Sequence, residues 1–380
     1  MFDRYFERRV RDTLAGAGIH VDGTRSFDMQ VNDRRAFRHI LLGRSLGLGE
    51  AYMDGWWDCH DLVQFFVRLF ETYPGIRFGG VRGAILRAAM GVANLQSVPL
   101  ARRVAERHYD LGNDFYEAML GPTMAYTCAY WRGQTTLDGA QANKFWLICR
   151  KLGLGLGEET RILDLGCGWG GFAQFAAKHC GADVTAVNIS KEQLAYARER
   201  SQGLPIDYVD SDWRYVDTLR DTRGPFDHAV SVGMLEHVGP RNFPAFFAAV
   251  KSVLKPGGIF LLHSIIGRGL VDPWMEKYIF PGGVAPSVEQ VLSAARGHFA
   301  VEDVHNFAPD YARTLRAWRS NFARAWPRFE RTGIYDARFY RMWEYYLSVC
   351  EAAFTARQRT QLYQFVLSTG RKPGTYRPIR

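Results

Sequence analysis

Residues 161–173 read RILDLGCGWGGFA: a short apolar run, glycines at 166, 168 and 171, and the start of an apolar-periodic segment continuing to Cys180. RILDL has the length and composition of a buried strand, and WGGFAQFAAKHC places its apolar residues at helical spacing. The glycines allow a tight turn, and a helix opening directly after them presents free N–H groups. The pattern repeats downstream. DVTAVNI reads as a strand, KEQLAYARERSQG as a helix stopped at Gly203, PIDYVD and FDHAVSV as strands, RNFPAFFAAVKSVL as a helix, and IFLLHSI as a strand after a KPGG turn. VEDVHNF and QLYQFVLS read as two more strands, with two long helices between them. Strands alternating with helices over short loops predict an α/β, Rossmann-like fold, with a mostly parallel seven-stranded sheet covered on both faces.

Upstream, the stretch GRSLGLGEAYMDGWWDC carries glycines at 43, 47, 49 and 55 and reads as loops between short strands and helices. The organisation changes across residues 85–105. A smaller N-terminal domain is therefore expected over residues 1–90, and a catalytic domain over residues 91–380. The chain of 380 residues is 47 % hydrophobic and 23 % charged, which suits a soluble protein with a full core. Its net charge of +9 is ordinary surface chemistry. That charge is compatible with phosphate-bearing surfaces, either nucleic acid or lipid headgroups. No N-P-P-Y-type loop or other base-handling motif is present, so nucleic acid is not expected as a partner. Six cysteines without C-x-x-C spacing suggest a reducing compartment. The opening MFDRYFERRVRD lacks the apolar core of a secretory signal. No apolar run reaches the ~18 residues of a spanning helix. The expectation is a cytoplasmic protein whose membrane contact is peripheral.

The glycine spacing G-x-G-x-x-G fits a dinucleotide and an S-adenosylmethionine site equally well. Two details favour the second. Asp164, just before the glycines, can order the loop and face a cationic amino-acid ligand. The end of the next strand carries Asn188, followed by Ser190 and Gln193, where a dinucleotide enzyme places an acid on the ribose hydroxyls.

Several rarer segments then occur in register: YDLGNDFYEAML, MAYTCAYW, LDLGCGWGGFA, LEHVGPRNF, LLHSI, DPWMEKYIFPGG and HNFAPDYARTL. Together they resemble the cyclopropane-fatty-acyl-phospholipid synthases and, more loosely, the mycolic acid cyclopropane synthases. The resemblance spans nearly the whole chain, including YMDGWWDC near the N-terminus. It implies a class I methyltransferase fold and methylene transfer from S-adenosylmethionine to the cis double bond of unsaturated phospholipid acyl chains. It also implies a homodimer built through the N-terminal domain, working at the inner face of the membrane. It places a bound bicarbonate on Cys128, Glu236, His263, Ile265 (through its backbone) and Tyr311. It places S-adenosylmethionine on Tyr126, Thr127, Gly166, Gly168, Asn188, Ser190, Gln193 and Trp213.

The chemistry so implied asks for particular residues. An alkene attacking a sulfonium methyl leaves a carbocation, and a base must then take a proton from the new methyl. Water within reach would trap the cation as an alcohol. Aromatic faces stabilise cations by ~0.5–2 kcal/mol each. Tyr109, Phe115, Tyr116, Tyr126, Tyr130 and Trp131 crowd the Cys128 segment, and most of them are expected to be core. A carboxylate facing a carbocation risks forming an ester, whereas bicarbonate positioned by Glu236 and His263 is an alternative base. Taken singly, Cys128 is an ordinary buried thiol. Zinc on Cys128, Glu236 and His263 would lack a characteristic ligand spacing. A predicted helix over residues 310–325 sets Leu315, Trp318 and Phe322 opposite Arg313, Arg316 and Arg324, with Pro327 ending or kinking it. This pattern suits either an interfacial element or an ordinary packed helix. WMEKYIFPGG reads as a mobile flap for lipid entry. Other readings are a methyl- or methylene-forming fatty-acyl methyltransferase, a small-amine N-methyltransferase and a membrane-binding module with a decayed nucleotide site.

Overall fold

Seven apolar segments become the strands of one sheet. They are β1 (Arg161–Leu165), β2 (Asp183–Asn188), β3 (Ile206–Asp210), β4 (Phe226–Val232), β5 (Leu254–Ile266), β6 (Ala300–Asn306) and β7 (Gln361–Ser368), in the spatial order β6-β7-β5-β4-β1-β2-β3. β1 to β5 are parallel, and β7 runs antiparallel to both its neighbours, β5 and β6. The structure is a computed structural model and describes residues 2–73, 111–155, 159–267, 269–270, 272–356, 360–370 and 374–380.

Each face of the sheet carries its own apolar layer. Ile162, Val184, Val230, Ile259, Leu261 and Val366 pack with Phe145, Phe172 and Leu194, from helices Leu137–Leu152, Gly171–Cys180 and Lys191–Arg200. On the other face, Leu163, Leu165, Phe260, Leu262 and Phe365 pack with Leu219, Phe247 and Val291, from helices Asp217–Arg223, Phe243–Val253 and Val288–Ala295. The period-two alternation of buried side chains thus feeds both layers from the same strands.

Two units divide the chain. The sheet unit comprises Asn94–Gly269, Gly283–Asp310 and Gln361–Arg380, and the other comprises Met1–Ala93, Leu270–Gly282 and Tyr311–Thr360. The smaller unit is therefore drawn from three stretches rather than from residues 1–90 alone. The boundary expected at residues 90 and 91, like Tyr109, lies outside the described residues.

Within the smaller unit several expectations are corrected. The glycine-rich stretch 43–53 is mostly helical: Arg35–Met53 forms two helical segments separated by a break at Arg44, whose φ of 53° and ψ of −126° are not helical. The glycines serve close packing: a Cβ on Gly47 would meet the His39 carbonyl oxygen, and one on Gly49 would meet the Trp274 indole. Trp274 and Met275 of the supposed flap are buried in a short helix, Pro273–Tyr278, and Glu50 accepts from Lys277 Nζ at 2.6 Å and Tyr278 Oη at 2.9 Å. Helix Ala308–Glu330 runs through Pro327 instead of ending there. Its Leu315, Trp318 and Phe322 are buried, so the apolar stripe is core and not a membrane face. Arg316 and Arg319 both donate to Glu351, at 2.8 and 3.2 Å. In the sheet unit, helix Lys191–Arg200 is capped at Ser201, two residues ahead of Gly203. β5 also begins earlier than expected and takes in the KPGG segment.

Because Trp274 is fully buried against Gly49, the substitution Gly49→Ala should destabilise the protein by about 1–3 kcal/mol through overpacking. A shift of the urea midpoint at unchanged m-value checks it; an unaltered midpoint would show that the indole yields freely.

Candidate active site

The parallel strands β1, β4 and β5 end at one edge of the sheet, where open α/β folds bind ligands. Strand register brings the groups there together: Asp164 on β1 lies opposite Val230 on β4, and Val232 on β4 lies opposite His263 on β5. Between β1 and its helix, the glycine loop is built for close approach. Gly166 has φ 77°, and a Cβ there would stand 2.9 Å from Met234 Cγ. Gly168 also has positive φ, at 56°. The N–H groups of Gly166 and Cys167 donate to Val187 O at 2.9 and 3.1 Å, tying the loop to β2.

Asp164 is 2 % exposed, and its Oδ2 has no hydrogen-bond partner among the described residues. Burial alone pushes its carboxyl up to about 7. Just past β4, Glu236 accepts the Ile265 N–H at 2.6 Å through Oε1, while its Oε2 is buried without a hydrogen-bond partner among the described residues. Burial pushes Glu236 up to about 7 as well, against the Ile265 N–H, which favours the carboxylate. The Ile265 N–H is thus taken up by Glu236. His263 is 1 % exposed and has an unpartnered Nε2. Burial, followed by the charges of Lys144, Lys151 and His305, holds its imidazole well below the usual range, so the ring is neutral.

The loop carrying Tyr126, Thr127 and Cys128 is fastened to helix Leu137–Leu152. Gln141 Nε2 donates to Ala125 O at 3.2 Å and Thr127 O at 3.0 Å. Asn143 Nδ2 donates to Tyr130 O and Arg132 O, both at 3.0 Å. Lys144 Nζ donates to Thr127 Oγ1 at 2.7 Å. Burial pulls the Lys144 ammonium down to about 7, with Cys128 opposing. Cys128 is fully buried, and its thiol donates to Ala129 O at 3.2 Å. Aromatic rings line this segment: Tyr116 lies 5.7 Å from Tyr126 and 4.9 Å from Trp169, and Tyr130 lies 5.5 Å from Phe307.

Of the remaining expected cofactor residues, Asn188, Ser190 and Gln193 are joined by hydrogen bonds beside the loop. Asn188 Nδ2 donates to Gly168 O at 3.2 Å and to Gln193 Oε1 at 2.8 Å, and Ser190 Oγ caps the next helix by accepting from Gln193 N. Trp213 sits in the turn after β3, its ring 5.5 Å from Phe246. Tyr311 belongs to the smaller unit, where its ring lies 4.5 Å from Phe354. No group of three His, Cys, Asp or Glu side chains able to hold a metal ion occurs among the described residues.

Sequence reasoning did not find Gln141, Lys144 or Gln364. A signal was present. Gln141 and Lys144 fall at helical spacing with buried Phe145, Ile148 and Leu152, so they interrupt an apolar face. Gln364 interrupts a strand whose neighbours Leu362 and Val366 are buried.

A profile of the family described as mycolic acid cyclopropane synthetase matches residues 97–365. The chain is 44 % identical over 376 residues to a cyclopropane-fatty-acyl-phospholipid synthase of Escherichia coli K12, covering 98 % of this chain and 96 % of that one. It is 32 % identical over 368 residues to a tuberculostearic acid methyltransferase of Mycobacterium tuberculosis, covering 88 % and 80 %. A solved mycolic acid cyclopropane synthase in complex with SAH and CTAB superposes with a TM-score of 0.62 at 29 % identity, covering 70 % of this chain and 98 % of that one. The seven-stranded sheet is accordingly that of a class I methyltransferase. The chain belongs to the mycolic acid cyclopropane synthetase family.

Proposed function

We propose that the protein uses S-adenosylmethionine to close a cyclopropane ring across the cis double bond of an unsaturated phospholipid acyl chain. The observation that carries this reading is the set of buried, unpartnered polar atoms at one sheet edge: Asp164 Oδ2, Glu236 Oε2 and His263 Nε2. Buried polar atoms left without partners are costly, and such groups mark sites where a ligand completes them.

S-adenosylmethionine supplies a sulfonium methyl as the electrophile. Asp164 and the loop at Gly166 and Gly168 would hold its charged end, together with the N-terminal N–H groups of helix Gly171–Cys180. Asn188 and Gln193 keep that loop in shape, and Thr127, held by Lys144, fixes the facing segment. Tyr126, Tyr116 and Tyr130 offer ring faces to a carbon-centred cation and displace water from it. The atoms of Glu236 and His263 suit an ion that both gives and accepts hydrogen bonds, and bicarbonate there would supply an oxygen base for the methyl proton. Glu236 and His263 would orient that base, with Cys128 close by in sequence to Thr127. We place the work on phospholipid at the cytoplasmic face of the inner membrane, with the smaller unit contributing to lipid contact and to a homodimer. That placement rests on family membership.

A second reading is supported by the 32 % identical tuberculostearic acid methyltransferase. Attack by the alkene is common to both reactions, and loss of a different proton or reduction would give a methylene or methyl branch.

Purified protein incubated with methyl-labelled S-adenosylmethionine and vesicles of cis-monounsaturated phospholipid should give a saturated ring, identified by NMR of the released acyl chains. A retained alkene or methyl branch would select the second reading, and unlabelled lipid would overturn both. In the same assay Glu236→Gln should lower turnover by about 10²–10⁴-fold while S-adenosylmethionine affinity changes little. Equal loss of affinity would show that Glu236 holds the cofactor.

Asp164 keeps its proton up to about pH 7, and a cationic ligand above it favours the carboxylate. Affinity for S-adenosylmethionine should therefore rise about tenfold from pH 6 to pH 8, with proton release on binding below pH 7. Calorimetry in buffers of different ionisation enthalpy measures this. Asp164→Asn should flatten the profile, and a flat wild-type profile would place the cation elsewhere.

With the apolar stripe of helix Ala308–Glu330 buried, any membrane attraction there falls to its exposed arginines, among them Arg313 and Arg324. Reversing both to Glu should weaken binding to anionic vesicles at least about tenfold at low salt, since each basic residue near such a surface contributes about 1 kcal/mol. Unchanged vesicle binding would move the lipid contact off this helix.

A further inference from the structure

The antiparallel strand β7 sets a glutamine beside the active-site histidine. Gln364 is the register partner of His263 on β5 and of His305 on β6, so the three side chains form a polar row across adjacent strands. Gln364 is fully buried, and its Nε2 lies 3.3 Å from His263 Nδ1. In this orientation the amide nitrogen donates and Nδ1 accepts, while Gln364 Oε1 is buried without a partner among the described residues. In a neutral ring the proton then sits on Nε2, the atom that is buried at the site without a partner.

We propose that Gln364 is a positioning residue that locks His263 as its Nε2–H tautomer, so that the ring presents a hydrogen-bond donor to the reacting groups and not a base. The inference rests on the active-site reading above and divides its labour. A ring whose Nδ1 lone pair is engaged and whose Nε2 already carries hydrogen has no free lone pair for the methyl proton. His263 then orients an anion or oxygen, and Glu236 Oε2 keeps the open lone pairs.

The surroundings agree. The titratable groups acting on the ring are Lys144 and Lys151 from helix Leu137–Leu152 and His305 from β6, all of them bases. Each disfavours an imidazolium. Lys151 Nζ is itself 3.1 Å from His305 Nδ1 and 3.7 Å from Asp303 Oδ2, so the far end of the row is closed by a buried polar contact. The Phe307 ring, 5.5 Å from His263, packs edge-on against the imidazole and holds its plane.

The test is a long-range ¹⁵N–¹H spectrum of the full-length protein labelled at histidine, with the His263 signal assigned by its loss in His263→Asn. The wild type should show Nε2 protonated and Nδ1 bare. Gln364→Glu, which places an acceptor at Nδ1, should move the proton to Nδ1 or give the cation, and should lower kcat on the order of 10²-fold with KM for both substrates little changed. A wild-type ring protonated at Nδ1 overturns the proposal whether or not any variant folds. So does a Gln364→Met protein that keeps the Nε2–H tautomer and full kcat. The wild-type spectrum does not depend on lipid turnover. Absence of a ring product with the Nε2–H tautomer in place therefore counts against the proposed reaction and leaves this assignment standing.

Discussion

The register of four adjacent strands decides where Asp164, His263 and Gln364 fall. A slip of one residue in any of them would turn its whole set of side chains to the opposite layer. Asp164, His263 and Gln364 occupy positions on strands that also send Ile162, Leu261 and Val366 into one apolar layer. The burial of those apolar neighbours fixes the register, and each is worth roughly 1.5–3 kcal/mol. The polar groups are carried into place by that packing and not by their own interactions. An isolated buried carboxyl would otherwise choose solvent.

The helix Leu137–Leu152 extends the same logic to a loop that no strand supports. Ile148, Cys149 and Leu152 pin it to the sheet, while Gln141, Asn143 and Lys144 reach from it to the segment 125–132. Its ends are well specified: Thr136 caps the first turn by accepting from Gly139 N, and Gly153 takes the left-handed conformation that closes the last. A rigid element thus holds Tyr126, Thr127 and Cys128 from behind, and its position is set by apolar contacts far from the chemistry.

Much of this was legible in the residues. Seven strands could be read because buried strands appear as short apolar runs, and the glycine turn after β1 was legible as a tight turn leading into a helix. Local signals failed where tertiary packing overrode them. Gly43, Gly47 and Gly49 look like loop punctuation, yet two of them exist because His39 and Trp274 approach a helix too closely for a side chain. Pro327 looks like a stop, yet the helix passes through it to Glu330. The arginine-flanked stripe of Leu315, Trp318 and Phe322 was ambiguous between membrane and core, and only neighbouring side chains could decide it. Gln364 and Lys144 were missed for a different reason. A polar residue in an apolar pattern reads as noise until a partner is found, and the partners lie 101 and 17 positions away.

In the proposed reaction dryness and proton removal pull in opposite directions, and burial itself would reconcile them. Excluding water protects a carbocation but leaves nothing ordinary to take its proton. The same exclusion raises Asp164 and Glu236 to about 7 and lowers Lys144 to about 7, so all three sit near their midpoints at neutral pH. Groups so poised change protonation for little free energy when a ligand's charge arrives or leaves, because each pH unit away from the midpoint corresponds to about 1.4 kcal/mol. In the proposed reaction a sulfonium entering beside Asp164 would favour its carboxylate, and an anion entering near Lys144 would favour its ammonium. His263 stands outside this exchange. Burial and three neighbouring bases keep it neutral throughout, which suits a group whose task is to orient rather than to titrate.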